Sequence, residues 1–458
     1  MITRRSLLSM AGAAALARPA YAFRSSSLDS ARDGRELVER SQAAPVIDAA
    51  RLRNRLERLS YHGRTGATFA DGVTRVAYSV PDLTARAWII DELKQAGIVP
   101  RIDAAGNIFG RVGGDPKRPA ILFGSHIDSV PNGGNFDGDL GVMSALEVLQ
   151  AVQAAKVQTR HPLEMVLWAH EESTAFGIGT AASRIVAGDL QAGDMDRVWN
   201  GMKRSDAIRR IAGNPEQIET AVRGKGTWHS YVELHIEQGG VLDRAKVPVG
   251  IVEGIVGIHR YDVVIEGFAN HAGTTPMGER QDAMVAASQL TLAVREIASR
   301  GQGRQVGTVG RIAIEPNSPN VIPGKVTMSV EFRDLSEPVL RELGDQVKAR
   351  GAAIAKETRT TIAFTLASTN VPAMATRGIQ DAIGRAAASA SLKTMRLPSG
   401  AGHDAQQIAK IAPMGMIFVP SVGGISHSPK ELTTWEDCAR GADVLLKTVL
   451  DLDQRDSI

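Results

Sequence analysis

The stretch Ile121–Val142 reads ILFGSHIDSVPNGGNFDGDLGV. An apolar strand is expected to stop at Gly124 and to deliver His126 and Asp128 from its end. A loop rich in Gly, Pro and Asn then returns Asp137 eleven residues after His126. Loops of this composition ordinarily just turn the chain. A histidine and two carboxylates on one strand-end loop also suit a metal site, because imidazole and carboxylate together bind zinc, manganese or cobalt. Taken alone the stretch leaves both uses open, and the remaining ligands must come from elsewhere in the chain.

Outward from this stretch, strand-like runs alternate with helices. Helical spacing starts at Val46 and recurs over Leu83–Ala96; it is followed by strands at Asn107–Val112 and Ala120–Phe123, a helix at Gly141–Ala155 and a strand at Leu163–Trp168. Alternation of this kind predicts an α/β fold. Functional groups in such sheets collect beyond the carboxyl ends of the strands. Three more strands end suggestively: Leu163–Ala169 leads into His170-Glu171-Glu172, Tyr231–Leu234 into His235, and Gly415–Val419 through a Gly-rich loop into His427.

Between Gly257 and Ala367 the order changes to strand, helix, strand, strand, helix, strand, a self-contained ferredoxin-like βαββαβ unit. The helix–strand style resumes afterwards, so this unit reads as an insertion. The expected organisation is a catalytic domain in two parts, 45–256 and 373–452, interrupted by a lid or dimerisation domain over 257–372. At 458 residues two domains are expected on length alone.

The N-terminus reads as a separate segment. Thr3-Arg4-Arg5-Ser6-Leu7-Leu8, an Ala-rich run to Ala17, and Ala20-Tyr21-Ala22 follow the order of a twin-arginine export signal cleaved after Ala22, which predicts a periplasmic protein. Its apolar run is too short for a permanent anchor, so no stable membrane insertion is expected. Loss of residues 1–22 would remove Arg4, Arg5 and Arg18 and no acid, taking the formal charge from +3 to zero. The basic balance of the whole chain is therefore no argument for a nucleic-acid partner. Cys438 is the only cysteine, which excludes an intrachain disulfide and suits a structural thiol in the C-terminal helix.

A two-metal hydrolytic site needs about three protein ligands per ion, one shared carboxylate and a general base. The strand-end clusters supply His126, Asp137, Glu172, His235 and His427, and five ligands with one shared serve two ions. Asp137 is the natural bridge, because its Gly-rich loop can fold back towards His126. Strand alternation would point Glu171 and Glu172 in opposite directions, one to metal and one to a proton, without saying which does which. Asp128 could accept the second N–H of His126 and fix its tautomer.

At these residues the chain also resembles a known family. GSHIDSVPNGG, HEES, ELHIEQG, HAGTTPM, SPNVIPG, FRD, SGAGHDA and GGISHSP are similar to the carbamoylase and allantoate-amidohydrolase branch of the M20-type dinuclear metallohydrolases, over roughly residues 45 to 450. The resemblance implies one metal on His126, Asp137 and His235, and another on Asp137, Glu172 and His427, with zinc, manganese, cobalt or nickel all compatible. It implies Glu171 as general base and His271 as an oxyanion-stabilising group supplied by the partner subunit of a homodimer. Asn320 and Arg333 would hold the substrate's α-carboxylate, with Gln238 and the Gly402 backbone completing the pocket.

The implied activity is hydrolysis of a linear C–N bond in an N-carbamoyl amino acid or related ureido acid. An N-acyl-amino acid amidase or dipeptidase with the same metals, and a non-catalytic periplasmic binding protein, are the alternatives. Two departures stand out. Ser173-Thr174-Ala175-Phe176 replaces the branch's usual Gly-Ser-Arg-Phe, and Asp139 stands where a proline or other neutral residue is common.

Overall fold

The computed structural model describes residues 44–301 and 304–458; the expected export signal, residues 1–22, lies outside them. Helix α1 (Ala49–Leu59) starts at Asp48, whose carboxylate accepts the Arg51 N–H, and α2 (Val80–Gln95) has proline in its first turn, where no donor is lost. The hairpin β1 (Pro100–Ile102) and β2 (Ile108–Val112) leads to β3 (Ala120–His126), α3 (Asp139–Ala154), β4 (Leu163–Trp168) and α4 (Ala181–Val186). A small hairpin, β5 (Val198–Trp199) and β6 (Met202–Lys203), precedes α5 (Arg204–Arg210), β7 (Trp228–Ile236), α6 (Val241–Ala245) and β8 (Val249–Ile255). The segment β9 (Gly257–Glu266), α7 (Ala283–Ser299), β10 (Val306–Glu315), β11 (Lys325–Asp334), α8 (Glu337–Thr358) and β12 (Thr361–Asn370) follows. The chain closes with β13 (Ala373–Met374), α9 (Arg377–Ser389), β14 (Thr394–Ser399), α10 (Asp404–Ile408), β15 (Met414–Val419) and α11 (Trp435–Asp453).

Nine of these strands form one mixed sheet in the order β1-β2-β4-β3-β7-β15-β8-β13, with β14 also on β8. Its central four strands, β4, β3, β7 and β15, run parallel, so their carboxyl ends share one edge. Every residue of β3, β4 and β15 is buried, as expected for strands covered on both faces. Ile121 and Phe123 join the apolar core under α1, α2, α3, α9 and α11, and Leu122 between them joins the core on the opposite face with Trp168, Tyr231 and Phe418. Phe123→Ala would cost about 3–5 kcal/mol in such a core.

The second sheet is antiparallel, in the order β10-β11-β9-β12. Burial alternates along β9 and β11, because one face packs on α7 and α8 through Val263, Ile265, Leu290, Val330 and Phe332. A mixed α/β sheet with an inserted ferredoxin-like unit is the fold that the hydrophobic pattern predicts.

Local expectations shift in two places. The third strand does not stop at Gly124 but runs through it to His126. Gly124 has φ +149°, and a Cβ there would lie 1.9 Å from the Val166 carbonyl oxygen, so the glycine marks close approach of two strands, not a strand end. Glu171 and Glu172 lie past the end of β4, in the loop that follows it, so strand alternation does not orient them. Cys438 is buried and free in α11, as expected. Among the described residues no helix is long and apolar enough to cross a membrane.

Candidate metal centre and active site

The parallel strand ends bring the five expected ligands together. His126 is the last residue of β3 and His235 the penultimate residue of β7. Asp137 sits just ahead of α3, and the loops after β4 and β15 carry Glu172 and His427. Oδ1 of Asp137 faces His235 Nε2 at 3.2 Å and His126 Nε2 at 3.6 Å, while Oδ2 faces His427 Nε2 at 3.2 Å. His427 Nε2 is also 3.4 Å from Glu172 Oε1. Two donor groups result, His126/Asp137/His235 and Asp137/Glu172/His427, each with its ligand atoms within 4.8 Å of one another.

This donor set fits divalent ions. The Nδ1 atoms of His126 and His235 lie against the backbone oxygens of Asp128 and Ile236, at 3.0 and 2.9 Å. Those carbonyls demand the proton on Nδ1 and leave each Nε2 lone pair facing the cluster. A third group, Glu233, His235 and His403, also converges. Its carboxylate is already spent on Ser125 Oγ, Tyr231 Oη and the Ala405 N–H, and His403 Nε2 on Ser399 Oγ, so it reads as support behind His235.

Charge balance at the centre follows from burial. Burial works to raise the Asp137 carboxyl, and hydrogen bonds to His235 and His427 outweigh it, holding Asp137 well below the usual carboxylate range. Burial likewise works to lower His126, and Asp128 and Glu171 override it, leaving this imidazole well above its ordinary value. The carboxyl of Glu171 is pushed well up by burial, opposed by His126 and reinforced by Glu172. A carboxyl in that position is suited to hold and release a proton.

Asp128 acts differently from the sequence expectation. His126 Nδ1 donates to the Asp128 backbone oxygen, while the Asp128 carboxylate lies 3.5 Å from that nitrogen. The carboxylate instead accepts the backbone N–H groups of Glu171 and Glu172 at 3.0–3.2 Å, fixing the loop that carries both acids.

A cavity of about 940 Å³ opens over the centre between the two sheets, and Gly402 and Arg333 line it with the cluster. Arg333 donates to Glu331 Oε1 and to the Gly400 carbonyl, both at 2.7 Å, rather than pairing with Asp334. Gln238 stands closer in, its amide donating to Asp137 Oδ2 at 2.7 Å. Ser173 lines this cavity, whereas Ala175, which stands where the resemblance has an arginine, is fully buried and lies outside it. His271 and Asn320 are exposed, lie outside this cavity, and neighbour each other through a bridge from His271 to Val321.

Two contributors carried no expectation of their own. Glu431 accepts the N–H groups of Phe136 and Asp137 at 3.0 and 3.1 Å and the Ser426 hydroxyl at 2.7 Å, tying the two ligand loops together. The available signal was an acid four residues after His427. Gly138 has φ +68°, and a Cβ on it would lie 2.6 Å from the His126 ring, so only glycine lets the chain turn from Asp137 into α3 there.

Known proteins match the chain along most of its length. Residues 122–451 match the model of peptidase family M20/M25/M40. The chain is 40% identical over 411 residues to the N-carbamoyl-L-amino acid amidohydrolase of Geobacillus stearothermophilus, covering 89% of this chain and 100% of that protein. It is 34% identical over 393 residues to the allantoate amidohydrolase of Escherichia coli, covering 85% and 95% respectively. The crystal structure of a hydantoinase/carbamoylase family amidase from Burkholderia ambifaria matches with a TM-score of 0.83 at 32% identity, covering 89% of this chain and 98% of that one. The chain therefore belongs to peptidase family M20/M25/M40 and, within it, to the hydantoinase/carbamoylase branch of metal-dependent amidohydrolases.

Proposed function

We propose that this protein hydrolyses the linear ureido C–N bond of an N-carbamoyl-L-amino acid or a related ureido acid, with two divalent ions bound at the cluster. The observation that carries this reading is Asp137, whose two oxygens face two separate groups of donors. His126 and His235 would complete one ion's ligands, and Glu172 and His427 the other's. Bound there, the ions would polarise the substrate carbonyl and lower the pKa of the attacking water.

The chain's own residues account for the rest. Glu171 takes the proton from the attacking water and passes it to the leaving nitrogen as the C–N bond breaks. Arg333, in the cavity wall, offers its guanidinium to the α-carboxylate, a pairing that selects acids. Water addition to an N-carbamoyl amino acid then yields carbon dioxide, ammonia and the free amino acid.

His271 belongs to this reading as a group lent to the cavity of a second subunit, and Asn320, expected beside Arg333 but standing with His271 instead, would go with it. Their exposure outside their own cavity supports it, as do exposed Val285 and Leu292 on α7 and the edge position of β10 among the described strands. Export by the twin-arginine route, with cleavage after Ala22, rests on the N-terminal residues alone. Finding only uncleaved protein in the cytoplasmic fraction would reject it. The substrate reading is tested by assaying metal-loaded protein on N-carbamoyl amino acids, allantoate, N-acyl amino acids and dipeptides. Turnover of ureido compounds with release of ammonia is expected, and turnover of the acyl or peptide substrates alone would refute it.

A further inference from the structure

Behind the metal-binding loop lies an ion pair that the reaction does not use. Arg75 is fully buried and Asp139 is 1% exposed. The guanidinium spends all five of its N–H groups. Nε donates to the Ile127 carbonyl at 2.6 Å, and Nη1 to the carbonyls of Leu59 and His62 at 3.1 and 3.0 Å. Nη2 donates to both carboxylate oxygens of Asp139, at 2.6 Å for Oδ1. The backbone around Arg75 is tied to the same loop. Val73 and Gly133 exchange N–H to carbonyl bonds at 3.0 and 2.8 Å, and Ser129 N donates to the Arg75 carbonyl at 2.9 Å.

The sequence positions of these partners give the pair its meaning. Ile127 directly follows His126, and Asp139 stands two residues after Asp137, with its N–H bonded to the Asp137 carbonyl at 2.8 Å. One planar guanidinium therefore holds both ends of the loop between the first histidine and the shared aspartate. We propose that Arg75 and Asp139 are positioning residues of the metal centre, clamping His126 and Asp137 at the spacing that one ion requires. The proposal rests on the reading of His126 and Asp137 as ligands.

A purely structural role would be served as well by apolar side chains, since a buried ion pair adds little net stability over a well-packed apolar pair of similar volume. Direction is what apolar packing does not supply, because the guanidinium is held in one plane by carbonyls on Nε and Nη1, and its charge-assisted bonds from Nη2 fix where the carboxylate stands.

The test compares Asp139→Asn, Arg75→Met and the apolar double variant Arg75→Met/Asp139→Leu with the full-length protein, each loaded with cobalt(II). Two readouts are taken: the visible absorption of bound cobalt, which reports its geometry, and the rate of metal loss to a chromogenic chelator. Asp139→Asn keeps the shape of the side chain and is the variant best placed to fold. Outer partners of metal ligands typically contribute 10–100-fold to metal affinity. Metal retention is expected to fall by that order in each variant, with an altered cobalt spectrum, and the double variant should not regain it even where its thermal stability returns to the wild-type value. Wild-type retention and spectrum in the double variant would overturn the proposal and leave the pair as packing. Asp137→Ala serves as the control, because undiminished metal binding in that variant would instead defeat the ligand assignment on which the proposal stands.

Discussion

Replacing Asp137 by alanine tests the two-ion reading most directly. Both donor groups include this residue, through different oxygens, whereas His126 belongs to only one of them. Asp137→Ala should therefore weaken both ions together, and His126→Ala mainly one. An ion held at 100 times its dissociation constant stabilises the folded state by about 2.7 kcal/mol. Two such ions contribute about 5 kcal/mol to the wild type, about half of that remains in His126→Ala, and close to none in Asp137→Ala. Thermal unfolding with and without added metal, alongside elemental analysis of the bound ions, separates the three cases. Equal losses in the two variants, or one tightly held ion in Asp137→Ala, would refute Asp137 as the bridge.

Other outcomes follow from the same geometry. Glu171→Gln should lower kcat by about 10²–10⁴-fold with metal content unchanged, the range for removal of a general acid–base, as read by steady-state kinetics and metal analysis. Gly138→Ala should cost about 1–3 kcal/mol, because φ +68° with ψ −43° is sparsely populated by residues with a Cβ, and that Cβ would press on the His126 ring, so that stability to chemical denaturation and metal affinity both fall. In the metal-free protein, His126, His235 and His427 all titrate above the ordinary histidine value. Their stabilisation is complete below about pH 6.5 and is lost as the pH rises through the raised values. The melting temperature of metal-free protein should accordingly fall between about pH 6.5 and 9, and bound metal should flatten that decline by taking the place of the protons. A metal-free melting temperature that rises across this range would contradict the assignment.

Much of the fold was legible in the chain because its periodicities are local. Leu163–Trp168 has the bounds read from its hydrophobic run, and Lys325–Asp334 takes its place in the order read between Gly257 and Ala367, since a strand buried on both faces and one buried on a single face each leave a distinct pattern. Strand ends were less legible. Gly124 looked like a terminator, and only the neighbouring strand explains it. Strand alternation is the wrong guide to Glu171 and Glu172 for the same kind of reason, because Asp128, more than forty residues away, holds the loop they occupy.

By itself the sequence determined which residue types were available for metal chemistry and that strand ends would carry them, because His126, His235 and the Glu171-Glu172 pair stand at or just past apolar runs. Only the tertiary structure decided how Asp137 divides its two oxygens, which carbonyls orient the imidazoles, and what the unexpected charge of Asp139 meets. The first and the last depend on contacts between distant segments, such as Asp137 with His427 and Arg75 with Asp139, whereas the carbonyls that orient the imidazoles lie only one and two residues away and are aimed by the backbone at the strand ends. Local propensity carries no record of such distances; the packing of β3, β7 and β15 side by side creates them.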